Sequence, residues 1–150
     1  MRIALWLHVL STVIWVGGMF FAHVALRPAL QAVPPPTRLP LIAATLATFF
    51  AWAGAAVATI ILTGLFMIFA LGGFGRIGAH VHLMTIIGLV MAAIFAYIVT
   101  VPFPRLRAAV AASSWEPAAG PVRTIRRLVA INLVLGLVTV TVAILGHGVV

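Results

Sequence analysis

Leu5 to Pro28 read LWLHVLSTVIWVGGMFFAHVALRP. The stretch is apolar and long enough to cross a bilayer, which takes about 20 helical residues. It nevertheless carries two histidines, His8 and His23. An ionisable side chain inside a span costs free energy that lipid does not return, so it points to function. Steps of 4, 7, 11 and 15 residues from His8 reach Thr12, Trp15, Met19 and His23, all on one helical face. Gly17 and Gly18 lie off that face and let a neighbouring backbone approach.

The same character runs through the whole chain. Of 150 residues, 65% are apolar, and the mean hydropathy is +1.30. Soluble domains are about half apolar, so this is an integral membrane protein. Its length suits one domain over residues 1–150. Cysteine is absent, which excludes disulfides, thiolate catalysis, iron–sulfur clusters and covalent haem attachment. Glu116 is the only acidic residue, so carboxylate dyads and acidic proton relays are excluded too. The chemistry that remains belongs to histidine, methionine, arginine and the aromatics.

Met1-Arg2 before an apolar run suits a signal peptide, but the run is too long and carries His8. It reads as a retained first span, about 4–26, closed by Arg27-Pro28. Pro34-Pro35-Pro36 reads as a stiff, non-helical loop. The second span is about 41–71, with Gly54 and Gly64 as points of close contact, and ends in Gly72-Gly73-Phe74-Gly75-Arg76. That turn has no Walker pattern and does not follow a strand. The third span, about 78–101, opens with His80-Val81-His82 and stops at Pro102 and Pro104. A loop bearing Arg105, Arg107 and Trp115 is expected on the membrane surface before a fourth span, about 125–147, that ends at His147. The expected fold class is an all-α integral membrane protein, an up-and-down four-transmembrane-helix bundle.

All nine basic residues are arginine, giving a net charge of +8. Alternating spans place Arg27, Arg38, Arg105, Arg107, Arg123, Arg126 and Arg127 on one side, with Arg2 and Arg76 on the other. The arginines therefore read as topology signals in the loops of a bilayer protein, with no nucleic acid partner expected. By the positive-inside tendency both termini lie outside, in the periplasm if the host is bacterial and the membrane its inner one.

His8 lies four residues into the first expected span and His82 four residues into the third. Both spans start on the outer side, so the rings share a depth of about 6 Å below the helix start. Spans 1 and 3 of an up-and-down bundle are usually diagonal, and two such histidines suit the axial positions of haem b. His80 points about 200° away from His82, onto a bulkier face with Met84, Ile87, Met91 and Phe95; His82 is therefore turned inward and His80 toward lipid. Trp15 shares the His8 face, and Arg76 lies close above His82 where it suits a propionate. His147 and His80 remain alternative ligands. His23 reads mainly as an interfacial residue. A b-type cytochrome of this kind would pass electrons between a membrane donor such as quinol and an outer acceptor. The alternative is a copper-handling membrane protein using His8, His80, His82, His147 and nearby methionines, since His80-Val81-His82-Leu83-Met84 offers imidazole and thioether together. Oligomer formation stays open.

His8, Trp15-Val16-Gly17-Gly18 with its following aromatics, Arg27-Pro28, Gly75-Arg76 and Asn132-Leu133-Val134-Leu135-Gly136 together resemble the copper-resistance protein D-like membrane domain family. The resemblance implies a role in copper uptake or tolerance. It also implies a glutamate where Asn132 stands here. The first span is similar to that of the four-helix bacterial protoporphyrinogen IX oxidase, through His8, Trp15 and Gly18. That likeness implies haem b and, as a third reading, porphyrinogen oxidation. The enzyme's third-span lysine falls near His82, a departure that suits two-histidine ligation.

Overall fold

A computed structural model describes residues Met1–Gly146. The chain forms α1 (Arg2–Phe21), a π-helical turn (Ala22–Leu26), α2 (Arg27–Gln31), α3 (Pro35–Ala70), a 3₁₀ turn (Phe74–Arg76), α4 (Ala79–Thr100), α5 (Pro102–Ala111) and α6 (Trp115–Leu145). Among the described residues there are four helical segments long and apolar enough to span a membrane: Arg2–Gln31, Pro35–Ala70, Ala79–Ala111 and Trp115–Leu145. The protein is an all-α membrane bundle.

Several boundaries differ from the sequence reading, each for a local reason. Pro35 and Pro36 do not extend the first loop; they start α3, where their missing N–H groups would be unpaired in any case. Pro102 breaks α4 at Val101 and then opens α5, so the expected surface loop is largely helical. In the first span the helix continues past Leu26 through a π turn closed by the Arg27 N–H on the Ala22 carbonyl. Pro28 follows directly. It has no N–H to give the Val24 carbonyl and its ring crowds that oxygen, and a widened turn relieves the clash.

Two chain reversals use left-handed residues. Gly72 and Gly73 have φ of 100° and 85°, and their N–H groups reach the Phe69 and Ile68 carbonyls at 3.1 and 2.9 Å. This is a Schellman ending, which glycine adopts without a Cβ clash. Ser113 performs the same turn after α5 at φ 52°, despite its side chain.

Span 1 packs mainly on span 2, and span 3 on span 4, with α5 folded back against α6. Small residues set these approaches. A Cβ on Gly18 would collide with the Phe49 ring, while Gly17 has nothing nearby. A Cβ on Gly136 would lie 2.9 Å from Val16 Cγ2 and 3.2 Å from Met91 Cε, so spans 1, 3 and 4 meet at this glycine. An aromatic series crosses the bundle edge to face: Trp15 to Phe95 at 6.1 Å, Phe95 to Phe50 at 5.9 Å, Phe50 to Phe103 at 5.0 Å. Large apolar side chains such as Ile3, Leu62, Phe66 and Ile144 are exposed, as a lipid-facing surface requires.

Candidate metal site at the histidine end

The start of α1 with His8, the last turns of α3, and the start of α4 with His80 and His82 lie at one end of the bundle. Because α1 begins at Arg2, His8 lies about 9 Å along its helix, while His82 lies about 4.5 Å along α4. Their insertion from the helix starts therefore differs by nearly one turn, rather than matching.

His8 is half-buried and turned toward span 2. Its Nδ1 is 3.0 Å from the Thr63 hydroxyl oxygen. Thr63 donates its own proton to the Thr59 carbonyl at 2.6 Å, so its oxygen accepts from His8 Nδ1–H. Gly64 makes room: a Cβ there would sit 3.3 Å from His8 Cε1. With the proton fixed on Nδ1, the lone pair of Nε2 is left for a ligand.

His82 reaches the same tautomer by another route. Its Nδ1 is 3.2 Å from the Gly78 carbonyl, which can only accept. Its ring lies 6.1 Å from the Phe74 ring in the preceding turn. A hydrogen bond on one ring nitrogen is the usual way a protein orients a metal-ligating histidine through the other.

The remaining candidates are placed differently from the sequence reading. His80, expected toward lipid, packs on span 4: a Cβ on Gly146 would lie 2.6 Å from His80 Cβ. Trp15 is buried at 4% exposure and serves the aromatic core. Arg76 folds back over its own loop, where a Cβ on Gly72 would lie 2.5 Å from its Cδ. His23 lies near the opposite end of span 1 and lines a cavity there. His147 falls outside the described residues. No hydrogen bond or ring contact joins His8 to His82. Among the described residues, no cluster of three or more histidine or acidic side chains is arranged to hold a metal.

The sequence matches the copper resistance protein D family over residues 43–145. The chain belongs to that family. The matched region contains His80 and His82 but starts inside span 2, so His8 and the Trp15 to Gly18 patch precede it. No curated protein and no solved structure matches the chain. The likeness of span 1 to protoporphyrinogen IX oxidase is carried by no match.

Sequence reasoning marked Gly64 as a point of close contact but missed Thr63 and the fact that His8 is what Gly64 approaches. The signal was present: a hydroxyl beside that glycine in a largely apolar span. What was absent from the sequence was the pairing of spans 1 and 2 that puts His8 opposite them.

Proposed function

We propose that this member of the family handles copper as cargo in the membrane, taking up the ion at the histidine end of the bundle. The observation that carries the reading is that His8 and His82 each commit Nδ1 to a protein acceptor and present Nε2. Imidazole is a good copper ligand, and methionine thioether favours the cuprous ion. Single imidazoles on separate helices would hold copper loosely and release it readily, which suits passage better than storage. Met19 and Met91 lie buried deeper in the bundle, where soft sulfur is the donor available to such an ion.

The arginine distribution supports both termini outside, and with a bacterial inner membrane as the host this orientation belongs to the proposal.

The test is copper uptake into vesicles containing the purified protein, followed with a copper indicator inside. His8→Ala and His82→Ala are each expected to cut the rate at least about tenfold, on the scale of losing an ordered ligand. Uptake unchanged in both variants would remove these residues from the path. An optical spectrum of the same preparation separates the alternative. A Soret band with sharp reduced bands, lost in both alanine variants, would restore the two-histidine haem b reading; a colourless protein that binds added copper reversibly supports the cargo role.

A further inference from the structure

The end of the bundle remote from His82 holds a cavity of about 670 Å³, between span 1, the start of α3 and the start of α6. Its walls are apolar, with Leu39, Ile42, Leu46, Phe49 and Val129 among them. Its polar groups are strongly one-sided: Arg27, Arg38, Arg123 and Arg126 line it, with His23 and the single acidic residue Glu116. Arg27 and Arg38 are half-buried. Among the described residues none of the four guanidinium groups has a hydrogen bond or ion pair to another side chain. The π turn Ala22–Leu26 supplies Ala22, His23 and Leu26 to the same wall. Such turns widen a helix and recur at functional sites.

We infer that this cavity binds an anionic phospholipid, its phosphate held by the arginines and the upper part of its acyl chains lying on the apolar wall. Two features decide the occupant. Four guanidinium groups against one carboxylate select an anion, and guanidinium suits phosphate geometry. An apolar wall of this size rewards burial of hydrocarbon, which a free phosphate ion lacks. The copper site and this one lie at opposite ends of the bundle, so their tests are independent.

The full chain, purified in nonionic detergent, is titrated with dioleoyl phosphatidylglycerol, dioleoyl phosphatidylcholine, ubiquinone and inorganic phosphate, with bound lipid read by native mass spectrometry. Phosphatidylglycerol should bind at least tenfold tighter than phosphatidylcholine. Each arginine removed should weaken it roughly fivefold, so R38Q/R126Q loses roughly 25-fold. R107Q/R127Q, whose arginines do not line the cavity, should bind as the parent does. A119F, which fills the cavity wall without changing charge, should lose binding while staying monodisperse. Equal binding of the two phospholipids overturns the inference, as does an equal loss in R107Q/R127Q. Displacement of phosphatidylglycerol by inorganic phosphate at similar concentration would make this a free-anion site. Displacement by ubiquinone at similar concentration would make it a site for a neutral isoprenoid. Either result also overturns it.

Discussion

His8 Nδ1 and the Thr63 hydroxyl oxygen lie 3.0 Å apart, joining span 1 to span 2 through a side-chain hydrogen bond within the apolar bundle. Thr63 accepts because its proton is already held by Thr59. The bond thus fixes both the orientation of the imidazole and the nitrogen it offers. Thr63→Val keeps the shape and removes the acceptor. The expected result is a 10- to 100-fold loss of copper affinity, the usual range for losing such a supporting partner. Thr63→Ser should restore most of it. Copper titration of the three proteins checks this, and equal affinity in the valine variant would show that Thr63 does not position His8.

Gly136 is where three spans meet. Gly136→Ala would set a methyl group against Val16 and Met91 at 2.9 and 3.2 Å. Overpacking of this kind costs about 1–3 kcal/mol. Shortening the neighbour, as Val16→Ala, should recover part of that loss in the double variant. The measurement is unfolding by detergent titration of all four proteins, and additive losses would mean that the two sites are not in contact.

Asn132 is 1% exposed and donates from Nδ2 to the Met91 carbonyl at 3.1 Å, while its Oδ1 has no partner. One bond between spans 3 and 4 is set against one unsatisfied buried oxygen. Interhelical side-chain bonds in membranes average about 0.6 kcal/mol. Asn132→Leu, which removes both, should therefore change stability by less than about 1 kcal/mol. A loss above about 3 kcal/mol in the same unfolding assay would show that Oδ1 has a stabilising partner.

Ser113 occupies a left-handed conformation at φ 52°. Its N–H and that of Ser114 cap the Val110 and Ala109 carbonyls at 3.0 and 2.9 Å. Ser113→Gly removes the Cβ clash, less the extra freedom of glycine in the unfolded chain. A net gain of about 0.5 kcal/mol is expected. Thermal unfolding in detergent should show a higher midpoint, and a lower one would refute the strain.

Arginine asymmetry predicts the orientation in the membrane. Reporter fusions after Arg38 and at the carboxyl terminus should report opposite sides, with the Arg38 fusion cytoplasmic. Fusions on the same side would contradict the three crossings between them.

Four spans, and the concentration of arginine at one end, follow from the sequence alone. Hydrocarbon demands about 20 apolar residues per crossing and expels charge to the loops, so both are written locally in the chain. His8, His80 and His82 stood out for the same reason. Their partners did not. Which way a histidine turns on a helix that is apolar all round depends on which neighbour it meets, and periodicity carries little of that information. His80 went to Gly146 and His8 to Thr63, residues 66 and 55 positions away. The cavity beside Arg27, Arg38, Arg123 and Arg126 was likewise invisible, because those residues come from three separate spans. Only the packing of the spans, fixed by contacts such as Gly18 on Phe49 and Gly136 on Val16, brings them to one wall.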